Sequence, residues 1–387
     1  MIKQEINELK RLYTPSNCSI TRICGCYVDG EKNKKTEFKE AFLSLPEEEI
    51  FKYFELLRKT LSGSLGKNLL NLDFPLASEQ EGGTQAALLA LRDSKLKDDA
   101  LIEEFYDRVI NTYEYVGNYL ILLIHDAYDV PGKTTDGLTM DDASDTVFEY
   151  IMCCICPVNL SKPGLSYDSI NNEFHNRIRD WVVEMPETGF LFPSFNDRAT
   201  DIHSTLFYSK NPEEAHSEFV ENILGCTLPL SAGTQKEAFQ ALIEETLGDE
   251  VEYEVVKNIH ENLTEMIEEH KEIPEPLTLD KHQVKNLFEK SGVSEEKLTD
   301  FDKLYDAAAG EDTSLFVNNV ANVRTFEVKT PDVVVKVNPE RADLVNTLSR
   351  EELTRILRDY GEEPYAWQIA GKIVSAREAA PIETTLQ

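Results

Sequence analysis

After Gly117 the chain runs Tyr119-Leu-Ile-Leu-Leu-Ile124 with no polar interruption, and Pro131-Gly132 punctuates the stretch beyond it. A run of that length, bounded by turn residues, suits a strand buried on both faces, since a strand with one wet face would alternate. Similar runs follow at residues 148–158, 181–185, 189–195 and 204–208, and residues 186–189 form a connection of hairpin length. The middle of the chain therefore reads as a mainly antiparallel sheet. The helices before it are the expected covering layer.

Those helices follow from apolar spacing. Residues 2–13 place Ile6, Leu9 and Tyr13 on one side and stop before Pro15. Pro46 opens a second helix, with Glu47, Glu48 and Glu49 where the dipole favours acids and Ile50, Phe51, Phe54, Leu57 and Leu61 on its apolar face. Residues 84–91 and 98–113 give two more, the latter with Leu101, Phe105, Val109 and Ile110 inward. Residues 19–28 read as a strand ending at Asp29-Gly30.

Beyond Gly233 the helical period returns at residues 235–247 and 252–270. A helix pair at 281–290 and 294–306 is joined by Gly292, and two short strands lie at 325–329 and 332–337. The tail is a helical hairpin. Ser349 and Glu352 form a capping box, Leu353, Ile356, Leu357 and Tyr360 line one face, and Gly361 ends the first helix. Pro364 opens the second, which carries Tyr365, Ile369 and Ile373. The fold class is α+β, divided into a main domain (1–230), a helical region (231–310), a short β region (311–341) and the hairpin (342–387).

Composition narrows the partners. Hydrophobic residues make up 41% and charged residues 28% of the 387, as in a packed globular chain. Seventy-one acids against 39 bases give a formal charge of −32. A field of that sign repels phosphate backbones and anionic lipids, so neither a nucleic-acid nor a membrane partner is expected, and a protein partner is left open. Residues 1–15 hold no apolar core of a secretory signal, and the run 119–124 is far shorter than the ~20 residues that cross a bilayer. Seven cysteines, an odd number, fit free thiols in a cytoplasmic protein.

The sharpest candidate for chemistry is the exit of the apolar run, His125-Asp126-Ala127-Tyr128-Asp129, because a histidine beside carboxylates can act as a base. The bland alternative is the polar end of a strand followed by a solvated loop. Cys24 and Cys26 could meet Cys153, Cys154 and Cys156 as a thiolate metal site, but both groups sit in apolar segments, where small core residues are the plainer reading. Gly63-Ser-Leu-Gly66-Lys67 lacks the spacing and the Lys-Ser/Thr end of a phosphate loop and reads as a helix end and turn. Glu327, Lys329 and Asp332 faintly resemble a nuclease cluster in reversed chain order, and the acidity argues against them. No cofactor or metal is expected.

Several stretches resemble the bacterial domain-of-unknown-function 4317 family: Ile20-Thr-Arg-Ile-Cys-Gly-Cys-Tyr-Val28, Lys59-Thr-Leu-Ser-Gly-Ser-Leu-Gly-Lys-Asn68, Gly117 through Pro131, and Asp332-Val-Val-Val-Lys-Val-Asn-Pro-Glu-Arg341. The resemblance covers residues 1–345 and implies a bacterial cytoplasmic protein with no assigned activity. Residues 342–387, with Tyr360-Gly-Glu-Glu363, Ala376-Arg-Glu378 and Pro381-Ile-Glu-Thr-Thr385, are similar instead to a helical insertion of the small-subunit rRNA cytosine-N4 methyltransferase family. Pro364 and Gly371 stand where that family usually has basic residues. The join falls at residues 340–345, and the family's cofactor-binding glycine motif is missing, so a methyltransferase-related fusion or fragment would be inactive alone. The leading expectation is a non-catalytic binding or structural module. The alternative is a hydrolase or metal-dependent enzyme using His125, Asp126 and Asp129.

Overall fold

The computed structural model describes residues 1–133, 139–140, 146–248, 253–321, 326–330, 333–337, 349–359 and 366–379. They divide into two compact units, Met1–Ala232 with Pro274–Pro276, and Gly233–Ile273 with Leu277–Gln387.

In the first unit, α1 (Lys3–Lys10) is followed by β1 (Ile20–Val28) and β2 (Lys34–Ala41), and α2 (Glu47–Thr60) by β3 (Leu69–Asp73). Then come α3 (Thr84–Asp93), α4 (Asp99–Thr112), β4 (Asn118–Val130) and β5 (Thr146–Leu160). The remaining strands are β6 (Leu165–Asp168), β7 (Glu173–Asn176), β8 (Trp181–Val183), β9 (Thr188–Phe192) and β10 (Ser204–Ser209). The main sheet has the order β2-β1-β4-β5-β9-β10-β3 with every ladder antiparallel, and β8 also pairs with β5. The α+β class with a mainly antiparallel central sheet is what the apolar runs require.

The run 119–124 lies inside β4, at the sheet's centre, and the pleat splits it. Tyr119, Ile121 and Leu123 enter a core with Leu88 and Leu91 of α3 and Ile102, Phe105 and Val109 of α4. Leu120, Leu122 and Ile124 enter a second core with Ile6 and Leu9 of α1 and Phe54 and Leu57 of α2. Helices therefore cover both faces, and each fully buried Leu or Ile contributes about 1.5–3 kcal/mol. The ends of α4 and α2 follow their residues. Asp98 accepts the Ala100 amide at 2.9 Å, and Pro46 precedes the acidic first turn of α2.

Two sheet strands lie outside the sequence expectation, β2 and β3, and both are edges. The sequence of β2, Lys-Lys-Thr-Glu-Phe-Lys-Glu-Ala, is mostly charged because one edge must stay unpaired, and charge there blocks further pairing. The connection at 186–189 is not a hairpin either. The Glu184 amide donates to Pro157 O (2.8 Å) and the Glu187 amide to Ile155 O (2.9 Å), so β8 and β9 run on along the same neighbour with a bulge between them.

The second unit contains α5 (Ala232–Leu247), α6 (Tyr253–Glu269), α7 (Lys281–Lys290), α8 (Phe301–Ala308), a hairpin of β11 (Phe326–Thr330) and β12 (Val333–Val337), then α9 (Arg350–Asp359) and α10 (Ala366–Ala379). Phe288 packs at 5.9 Å from Phe239 and 5.2 Å from Phe301, centroid to centroid. The helix expected at 294–306 begins only at Phe301. Lys297 stands where a capping carboxylate would and donates to Leu247 O at 2.9 Å, so Ser294 starts no helix. In the tail, the Ser349 amide donates to the Glu352 carboxylate (2.9 Å) and the Glu352 amide to Ser349 Oγ (3.2 Å), the expected capping box. Among the described residues no helix is long and apolar enough to cross a membrane.

Candidate functional site

Consecutive residues of a strand point to opposite faces, and this decides the His125-Asp126 pair. His125 is fully buried on the α3/α4 face. Its Nδ1 lies 2.7 Å from Thr21 Oγ1, while Nε2 makes no hydrogen bond and approaches Glu149 Oε2 of β5 only at 4.0 Å. Lys95 Nζ holds the other oxygen of Glu149 at 2.8 Å. Burial, opposed by Glu149, lowers the imidazole pKa to about 4, so the ring is neutral.

Asp126 is buried on the α1/α2 face. There the Tyr150 hydroxyl donates to its Oδ2 at 2.7 Å, and Tyr13 OH lies 3.0 Å from Tyr150 OH. Desolvation raises the Asp126 pKa, and the Tyr150 hydrogen bond opposes it. Asp129 is exposed, opposite Val147. The three residues proposed together from sequence thus occupy two buried faces and the solvent. The sheet itself separates the base from the nearest acid.

The cysteine clusters are kept apart by the same geometry. Leu123 of β4 sits between Cys24 and Cys153 in the ladder, so those thiols are two strand spacings apart, roughly 9–10 Å. Cys153 faces the α3/α4 core while Cys154 and Cys156 face the other. Burial pushes the Cys26 and Cys154 thiols up to about 12, which suits inert core residues. Gly63 (φ +134°) and Gly66 (φ +75°) are the turn after α2, as expected. Lys67 beside them lines an open cavity of about 490 Å³ with Glu114, Glu214, His216 and Glu218. The His216 ring packs against the Tyr113 ring at 4.9 Å between centroids, tilted by 54°, and burial lowers its pKa, so it fills space as much as it faces the cavity.

A different feature is unspent. From β5 the chain continues outward through β6, turns, and returns through β7 into β8 in one unbroken register. Val183 stands opposite Val158, Trp181 opposite Leu160, Asn176 opposite Leu165 and Glu173 opposite Asp168. Between the ladders, the Ser161 amide donates to Asp180 O (2.8 Å) and the Arg177 amide to Gly164 O (2.9 Å). At the tip, the Asp168 carboxylate accepts from the Ile170 amide at 2.8 Å and from Asn171 Nδ2 at 2.7 Å, and Asn172 takes a left-handed φ of 57°. The result is a two-stranded arm.

Its two faces differ in kind. The pleat puts Pro163, Leu165, Tyr167, Phe174, Ile178 and Val182 on one side with the polar Ser161, Asn176 and Asp180 among them, and Lys162, Asp168, Glu173, His175, Arg177 and Arg179 on the other, with Trp181 and Val183 at its base. Tyr167 and Phe174, directly opposite each other, pack their rings at 5.3 Å between centroids, tilted by 49°. The apolar side is open to solvent: Leu165 is 76% exposed, Phe174 72% and Ile178 79%. The sequence reading took only residues 181–185 as a strand and missed this surface. Its signal was the two-residue period at 163-165-167 and 174-178-182, interrupted by Asn176 and Asp180.

Residues 1–357 match the family described as "Domain of unknown function (DUF4317)", and residues 336–387 match the MraW methylase family. The two matches overlap over 336–357, an interval that contains the join read at 340–345. Curated relatives match the C-terminal end. The "Ribosomal RNA small subunit methyltransferase H" of Geotalea daltonii is 59% identical over 46 residues, 12% of this chain and 15% of that protein. The protein of that name from Geotalea uraniireducens is 61% identical over 46 residues (12% and 15%), and that from Lachnospira eligens 60% over 45 residues (12% and 14%). The chain therefore spans about 15% of the length of these relatives.

Proposed function

The chain belongs to the family described as a domain of unknown function (DUF4317), and from that premise we propose that its main body is a non-catalytic binding module whose recognition element is the arm between Leu160 and Val183. The observation that supports this reading most is the exposed, largely apolar face of the arm. An isolated two-stranded ribbon is marginal in water without a covering layer, and large exposed apolar patches on soluble proteins mark interaction sites. Against the enzyme reading stand the separation of His125 from Asp126 by the sheet and the solvent position of Asp129. The test is comparative recovery from a native lysate with the wild-type chain and a Leu165→Asp/Phe174→Asp variant. Partners held by the wild type and lost by the variant fit the reading, whereas identical recovery from both sinks it.

A methyltransferase-related role for the tail is the second reading, favoured by its identity to the rRNA methyltransferase relatives. S-adenosylmethionine would need a glycine-rich turn after a first strand. Residues 342–387 offer no such turn, their described part being the two helices α9 and α10, so the cofactor does not fit here. Titration calorimetry of the full chain with S-adenosylmethionine should give no heat of binding. A saturable heat would restore the methyltransferase reading.

A further inference from the structure

Resting on the arm as recognition element, we propose that the arm's apolar face is covered by the same face of a second copy of this chain. The two ribbons would pack as a two-layer, four-stranded sandwich about a two-fold axis. A two-fold interface needs a surface that is its own complement. This face qualifies because it is graded along its length, with Tyr167 and Phe174 toward the tip and Pro163, Ile178 and Val182 toward the base. Stacked antiparallel about Leu165 and Asn176, Tyr167 and Phe174 of one arm cover Pro163 and Ile178 of the other, and Asp180 and Val182 lie outside the overlap.

The size is sufficient. Two aromatic side chains at about 150–200 Å² each and three others at about 100 Å² give roughly 600–700 Å² per copy. The total of about 1,200–1,400 Å² lies at the low end of the ~1,200–2,000 Å² of stable interfaces.

Charge permits this occupant. The chain carries −32, yet the arm balances Lys162, Arg177 and Arg179 against Asp168, Glu173 and Asp180. A second copy meets zero charge at the arm. From Leu160 to the tip, eight residues at ~3.3 Å carry the contact about 26 Å outward, some three Debye lengths at physiological salt, so the two acidic bodies scarcely sense each other.

Sedimentation velocity of the full chain over about 1–100 μM at ~0.15 M salt tests this. The expected species has twice the 44.0 kDa of one chain. Leu165→Asp/Phe174→Asp should weaken association at least ~100-fold and sediment as one chain, with unchanged circular dichroism and cooperative unfolding to show that the body is folded. Arg177→Gln, on the charged face, should leave the dimer intact. A wild type that stays monomeric throughout, or a double variant that stays dimeric, overturns the proposal. In the first case, arm-dependent recovery of another protein would leave the recognition reading standing with a different occupant, and loss of both would end the two together.

Discussion

His125 and Asp126 are neighbours in the chain and strangers in the fold, and their titrations carry opposite signs. The pKa of the His125 imidazole is lowered by burial to about 4 from an ordinary 6.5. The stability of the neutral ring is therefore fully present above pH ~6.5 and is lost as pH falls toward 4, because the unfolded chain takes up that proton first. An NMR titration of the histidine ring protons should show His125 neutral down to about pH 4. A midpoint near 6.5 would contradict its burial. Asp126 runs the other way. Its pKa is raised by desolvation, so the folded chain binds that proton more readily than the unfolded one, and stability gains as pH falls through the raised value. Tyr150→Phe removes the hydroxyl that Asp126 accepts and should cost about 1–3 kcal/mol at pH 7 in urea unfolding, less in acid. Asp126→Asn keeps an acceptor and sheds the buried charge, so it should be within about 1 kcal/mol of wild type. Sequence exposed the cluster His-Asp-Ala-Tyr-Asp as adjacency; only the pleat shows that adjacency on a strand means opposite faces.

Elements that bury both faces were the easiest to read, because β4 and β5 hold long apolar runs that no other arrangement tolerates. Edges and ribbons were harder. β2 is disguised by the charge that protects it, and the arm by an alternation that two polar positions interrupt. The bulge between β8 and β9 hid because Pro186-Glu-Thr-Gly189 has turn composition, while its register is set by hydrogen bonds to β5. Gly189 shows how tightly that strand sits. A Cβ there would lie 2.3 Å from Cys153 O and 2.9 Å from Thr60 Cγ2, so Gly189→Ala should destabilise by roughly 1–3 kcal/mol in denaturant melts. The arm should behave in the opposite way. Replacing residues 162–179 by Asn-Gly joins Ser161 to Asp180, already paired, through a two-residue turn. The shortened chain should melt within about 4 °C of the Leu165→Asp/Phe174→Asp chain, which also lacks the association, since the body's two cores are untouched. A collapse of cooperative unfolding would mean that the arm supports the sheet.

At the scale of the molecule, charge is the property that sequence makes plain and structure distributes. Opposite charges do pair, as in Lys39–Asp99 at 3.0 Å and Lys95–Glu149 at 2.8 Å, but such half-exposed pairs contribute ~0–1 kcal/mol each. The excess of 71 acids over 39 bases cannot pair and repels itself more in the compact state than in the open chain. In the tail, Arg350 lies 4.0 Å from the Trp367 ring centre, and a Cβ at Gly371 would come within 2.7 Å of its guanidinium, so a base at 371 would meet Arg350 directly. Screening separates the two electrostatic contributions. Raising NaCl from about 0.01 to 1 M shrinks the Debye length from ~30 to ~3 Å, which weakens surface pairs and relieves net repulsion together. If repulsion dominates, as −32 implies, the melting temperature rises by several degrees. The measurement belongs on the Leu165→Asp/Phe174→Asp chain, where association cannot add its own mass-action stabilisation. A melting temperature that falls with salt would mean that the ion pairs, not the unpaired acids, set the electrostatics of the fold.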